Sequence, residues 1–195
     1  MGTRNITAVM LDGEYKIAQY GQWDGYPDGQ GRTAFEFAQT LAIPGRKEEF
    51  KKKVRACRWI TKEEIDAINA DIKDGKYGEH GEKWTKYFPE LSRDTCADIL
   101  EMVQKRGGLA LKNDIDFVAD GLFCEYVWLI DLDANTFEGF AGFNKDPDEG
   151  DKRFAFLMGK CEEGYYTPTL LVKYDLDHMP PVEEFLDDCK AKEDE

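Results

Sequence analysis

Apolar positions alternate in twos near both ends of the chain and recur every three to four residues in its middle. From Asn5 to Leu11, Ile6, Ala8 and Met10 alternate with Thr7, Val9 and Leu11, predicting a strand that is apolar on both faces. Asp12-Gly13 is a hairpin turn signal, and Tyr15–Gln22 reads as the returning strand. The period then lengthens. Thr33 with Glu36 has the form of a capping box and opens a helix to Ala42, with Phe35, Ala38 and Leu41 or Ala42 on one face. Pro44-Gly45 breaks it. A second helix, Arg46–Arg58, carries Phe50, Val54 and Cys57 on one side and Lys47, Lys51 and Arg55 on the other. Thr61 and Glu64 cap a third, Lys62–Lys73, with Ile65, Ile68 and Ile72 expected to face inward.

Gly75–Pro89 reads as an aromatic-bearing loop. A fourth helix, Asp94–Lys105, is stopped by Gly107-Gly108. Alternation returns in Cys124–Leu132 and Phe137–Phe143, joined by a turn at Asp133–Thr136, with further strands expected at Arg153–Met158 and Thr169–Leu176. Lys145–Asp151 is an acidic loop. Pro180-Pro181 starts a terminal helix whose stretch to Glu195 holds seven acidic and two basic residues. The order predicts a single α+β domain over residues 1–190, with residues 191–195 a frayed acidic tail. Its antiparallel sheet would comprise an N-terminal β-hairpin and C-terminal strands around a central helical segment.

Composition narrows the function classes. With 26 basic and 40 acidic residues among 195, the formal charge is −14. That argues against a nucleic-acid polymer as partner, because such binding rests on neutralising phosphates. No apolar run approaches the roughly 20 residues of a membrane span, and the first residues lack the apolar core of a secretory signal. The five cysteines have no close spacing, so neither a disulfide framework nor a zinc ribbon is indicated, and reduced thiols in the cytoplasm are expected. His80 and His178 lack metal-ligand spacing, and there is no phosphate-loop or dinucleotide-binding glycine motif. No metal and no cofactor are expected, and no residue is assigned as catalytic.

One block carries chemistry. Gln19–Thr33 joins a strand to a helix through a glycine-rich loop, where backbone N–H groups can face an anion. Trp23 and Tyr26 offer ring faces for stacking, Gln22 and Gln30 offer amides, and Asp24 suits ribose hydroxyls or base amines. Arg32 could hold a phosphate or carboxylate. Asp24 and Asp28 argue against a simple phosphate cradle and suit ribose hydroxyls, base amines or a divalent ion better. Arg4 and Asn5 are second-rank candidates, with a solvated strand end as the plainer reading. A tight turn plugged by aromatics is the plain reading of the loop itself. The basic run Arg46–Lys62, eight basic against two acidic residues, could guide an anionic ligand, although a solvated helix face is the commoner role. Asp94 reads as a helix cap. Asp131, Asp133 and Glu138 read as a turn rather than a cation site.

The segments Thr3-Arg4-Asn5, Asp12-Gly13-Glu14-Tyr15-Lys16, Ala18–Pro27 and Gly29-Gln30-Gly31 resemble a family of small proteins encoded by phages, prophages and some cellular genomes. Leu91–Thr95 and Trp128–Asp133 extend the likeness over most of the chain. The resemblance carries no catalytic residues across. It implies a phage setting, hence a role against host defence in the host cytoplasm. A weaker likeness, in Thr3, Asp12-Gly13 and Gly25, is to N-terminal-nucleophile hydrolases; there Thr3 would need both Met1 and Gly2 removed.

These readings converge on a protein that binds and sequesters a small anionic, nucleotide-like ligand through Trp23, Asp24, Tyr26, Gln30, Arg32, Gln22 and Arg4. The alternatives are a hydrolase using the same pocket and an acidic inhibitor of a host enzyme. A homo-oligomer is compatible with the chain.

Overall fold

The computed structural model describes residues 2–77, 83–162 and 164–193. The N-terminal hairpin forms where alternation places it: β1 is Asn5–Leu11 and β2 is Glu14–Gly21. Asp12 (φ 57°) and Gly13 (φ 75°) both lie in the left-handed region, which matches the right-handed twist of the flanking strands. The C-terminal strands are β5 (Tyr126–Asp131), β6 (Thr136–Ala141) and β7 (Thr169–Asp175), numbered after two short intervening strands, β3 (Arg58–Trp59) and β4 (Ala110–Leu111). The main sheet has the order β2-β1-β5-β6-β7. All its pairings are antiparallel except one: β1 runs parallel to β5, with Asn5 opposite Tyr126 and Thr7 opposite Trp128.

Helices α1 (Arg32–Thr40), α2 (Arg46–Arg55), α5 (Asp98–Arg106) and α6 (Val182–Glu193) contribute to a core on one face. There Phe35, Phe50, Ile99, Val103 and Phe185 meet Val9, Trp128, Ile130 and Phe137. On the other face, the 3₁₀ segments Ile115–Ala119 and Lys152–Lys160 place Val118, Phe154 and Leu157 over Ile6, Ala8, Val127, Leu129 and Phe140. Strands β1 and β5 are therefore enclosed on both faces, which is why their sequences are apolar on both. Among the described residues no helix is long and apolar enough to cross a membrane.

Several local expectations need correction. The box at Thr33 and Glu36 does not form: helical backbone already exists at Gly31, so Thr33 lies inside α1 and its hydroxyl donates to Gly29 O at 3.3 Å. Arg153–Met158 is 3₁₀ helix, not strand; Phe154 and Leu157, three apart, are buried while Phe156 is exposed. Helix α2 stops at Arg55, and Arg58–Trp59 pairs with Ala110–Leu111 instead. The box on α3 (Lys62–Lys73) does form, with Arg58 gripping Glu64 through two nitrogens and holding its carboxyl at about 2. Ile65, Ile68 and Ile72 are only half-covered, although an inward face was expected. The Gly75–Pro89 stretch contains a short helix, α4 (Lys83–Tyr87); its residues 78–82, with His80, lie outside the described residues. Helix α6 continues through Glu193, past the start of the expected frayed tail, and residues 194–195 lie outside the description.

Candidate functional site

The loop that follows β2 caps the end of the sheet where β1 and β5 begin. Its backbone is fixed from below: Gly25 N–H donates to Thr3 O (3.0 Å), and Gly25 O accepts the indole N–H of buried Trp128 (3.0 Å). Gly29 is required by close approach, because a methyl there would lie 2.3 Å from Asp24 O. Pro27–Gly31 then winds as a π-type turn straight into α1.

The two loop aromatics are not plugs. Trp23 is 49% exposed and Tyr26 48%. Each is nonetheless held in place. The Trp23 indole N–H donates to Asp94 Oδ1 (2.9 Å), and its ring lies so close to Gly2 that a methyl there would be 2.4 Å from it. Tyr26 leans on Tyr126 with centroids 6.0 Å apart. Tyr126 stacks on Trp128 at 5.6 Å and 7°, and Trp128 lies nearly parallel to Phe137 at 6.4 Å. A column of four rings thus runs from solvent into the core. Asp94 is not a helix cap: it takes the Trp23 indole and the Thr85 hydroxyl, while α5 starts at Asp98.

The remaining predicted residues divide sharply. Gln30 Oε1 accepts the N–H of Ala97 (3.0 Å), tying the loop to the start of α5. Gln22 Oε1 accepts the Tyr20 hydroxyl (2.8 Å). Arg32 is half-exposed and paired with Glu36 on its own helix (3.0 Å). Asp24 is exposed, with φ 56° and its carbonyl accepting Gln30 N–H. The amides just before the helix are engaged within the loop: the N–H groups of Gly29, Gln30, Gly31 and Arg32 all bond to loop carbonyls.

Arg4 lies at the same sheet end, its guanidinium 4.1 Å from the centre of the Phe123 ring and its Nε buried without a partner. Phe123 precedes β5 and Phe143 follows β6; both are partly exposed, and Phe143 holds φ 58°, an uncommon conformation for an aromatic residue. Asn5 is no solvated strand end: it has 0% exposure. Cys96, buried beside Trp23 O with φ 47°, has its thiol pushed up by burial, so it stays protonated at neutral pH. Thr3 is buried behind Gly2.

Tyr126, Phe123, Phe143 and Asp94 were not among the predicted site residues. Only their pairing across the fold brings them here, 71 residues in the case of Trp23 and Asp94. Comparisons with family models, curated proteins and solved structures give no match to this chain.

The basic stripe lies elsewhere and is occupied. Arg55 grips Asp12 through two nitrogens (2.8 and 2.9 Å), Lys47 bonds Asn135 and Asp177 (2.6 and 2.5 Å), and Lys51 pairs with Glu48 (3.4 Å). The acidic trio at the β5–β6 turn is also accounted for. Asp131 and Glu138 hold Arg153 (2.8 and 2.7 Å), and Asp133 accepts the Asp12 and Gly13 N–H groups (2.9 and 2.8 Å). Among the described residues no acidic, histidine or cysteine cluster could hold a metal ion.

Proposed function

We propose that the chain is a phage-type counter-defence protein that binds and sequesters a small anionic, nucleotide-like signalling molecule at the loop end of its sheet. One observation carries the reading: Trp23 and Tyr26 are half-exposed yet held, one by a hydrogen bond to Asp94 and the other by a ring column. A rigid exposed ring loses little freedom when a planar ligand stacks on it, so most of the stacking energy is kept. Arg4 and Arg32 supply the anionic contact in place of the loop amides. The Arg32–Glu36 pair is exposed and worth only ~0–1 kcal/mol, so a ligand phosphate can replace it at little cost. Asp24 takes ribose hydroxyls. The phage setting comes from the family resemblance of the N-terminal block.

The test is recovery of ligand. Purified protein is incubated with linear, cyclic and ADP-ribose-type nucleotides, filtered from the free pool and denatured, and the released compounds are identified by mass spectrometry. A nucleotide depleted and released intact is the expected result. Trp23→Ala, with loss of a stacking face, should weaken capture about tenfold, and Arg4→Ala should weaken it as well. A converted product would replace sequestration with catalysis. No depletion by any member of the panel would overturn the nucleotide reading.

A further inference from the structure

Asn5 opens β1 fully enclosed, and neither Nδ2 nor Oδ1 of its amide has a hydrogen-bond partner. Thr7, two residues along the same face and equally enclosed, leaves its hydroxyl without one as well. An unpaired buried polar group is expensive, and native proteins rarely keep one without a use for it. Here three such atoms stand together on one strand.

The surroundings are shaped to this amide. A methyl on Gly21 would sit 2.7 Å from Asn5 Nδ2, 2.9 Å from its Oδ1 and 3.0 Å from Cys96 Sγ. A methyl on Gly25 would sit 3.0 Å from Asn5 Nδ2 and 2.9 Å from Thr3 O. Two glycines therefore leave room for one carboxamide directly under the loop backbone between Trp23 and Tyr26. Non-glycine residues with left-handed backbone flank the same spot, Asp24 at φ 56° and Cys96 at φ 47°. Such conformations persist where the surroundings enforce them, and they gather at ligand sites.

We infer that Asn5 is the base-reading residue of the ring-binding site. It meets the adenine edge of a small nucleotide once the Gly25 hydrogen bonds to Thr3 O and the Trp128 indole open, while Trp23 and Tyr26 keep their own anchors at Asp94 and Tyr126. Thr7 gives the next hydrogen bond inward. This rests on the nucleotide reading above. A carboxamide sets a donor beside an acceptor, and adenine presents the matching pair at its exocyclic amine and ring nitrogen. Trp23 and Tyr26 supply affinity for any flat ring, and Asn5 supplies the choice among rings. The orphaned amide makes the free protein less stable than it need be, and the ligand satisfies that amide on binding.

Two measurements on the full chain test this. The first compares AMP with purine riboside 5′-monophosphate, which keeps the ring and phosphate but lacks the exocyclic amine. The wild-type protein should prefer AMP about tenfold or more, and Asn5→Val should remove the preference, whereas Trp23→Ala should weaken both probes alike. Equal affinity for the two probes in the wild type, or a preference that survives Asn5→Val, overturns the inference and leaves the stacking site standing. So does capture of some other nucleotide with no binding of AMP. Failure of every nucleotide overturns both readings. The second measurement needs no ligand. Asn5→Val removes the orphaned atoms at similar volume and should raise the melting temperature by about 3 °C. A fall of that size would show that the amide holds the fold together, and would overturn its role as a reader.

Discussion

Where β1 and β5 finish, most polar groups come in closed sets, although the buried Tyr15 hydroxyl beside Arg153 has no hydrogen-bond partner. Arg153 lies between Asp131 and Glu138, Lys173 and Thr136 add contacts to Glu138, and Asp133 clamps the neighbouring hairpin turn. Where the same two strands begin, the accounts stay open: Asn5, Thr7 and Arg4 have unpartnered buried atoms, and large rings stand half in solvent. Left-handed backbone separates the two ends as well. At the closed end it falls on Asp12 and Asn135, residue types that tolerate it in turns; at the open end it falls on Asp24, of the same type, but also on Cys96 and Phe143, which rarely adopt it. Both ends share one pair of strands and one pair of cores, so the contrast belongs to their chemistry and not to the architecture. Fully satisfied polar networks stiffen a scaffold, and unsatisfied buried groups cost it stability.

The contrast can be broken most directly at Arg153. Arg153→Met would leave Asp131 and Glu138 buried without their main partner and should cost about 3–5 kcal/mol in urea unfolding. A loss below about 1 kcal/mol would mean that the closed set does not support the fold. At the open end, Gly25→Ala pushes a methyl against Asn5 and Thr3 and should cost about 1–3 kcal/mol while also reducing nucleotide capture. Intact capture with lowered stability would detach the loop from the binding role. The smallest effect is expected at Asp12, whose carboxyl Arg55 holds below the usual aspartate range. A depressed carboxyl stabilises the fold above its unfolded value, and the benefit is lost as pH falls through its lower folded value. Asp12→Asn should therefore lower the melting temperature slightly near neutral pH, and the difference should vanish well below pH ~4. A difference that persists in acid would assign the effect to the turn backbone.

Local chemistry made much of this legible. Asp12-Gly13 and alternation gave the hairpin, Thr61 and Glu64 gave α3, and Pro180-Pro181 gave α6. Lys152–Lys160 misled because aromatic and apolar residues at every second position imitate a strand, whereas burial follows a three-residue period. In the site, Trp23 and Tyr26 stood out because glycine and proline surround them. Gln30 and Asp94 did not reveal their roles, since each is fixed by a partner far along the chain. Asn5 is legible only as a second-rank candidate, by its place at the start of the first strand. Its setting depends on Gly21 across the hairpin and Gly25 above it, and neither relation has a sequence period.

The parallel pairing of β1 with β5 has a consequence for how the protein comes into being. Asn5 aligns with Tyr126, and Arg4 meets Glu125, 121 positions away along the chain. The first hairpin can close early, but one flank of β1 stays an open edge until β5 has been synthesised. Closing so long a loop is slow, and an unpaired edge invites association with other chains. The column of rings under Tyr26 belongs to β5 and β6, so the loop end of the sheet is among the last parts to exist. A nascent chain halted before Tyr126 would display its most aggregation-prone strand and have no ring column beneath Tyr26.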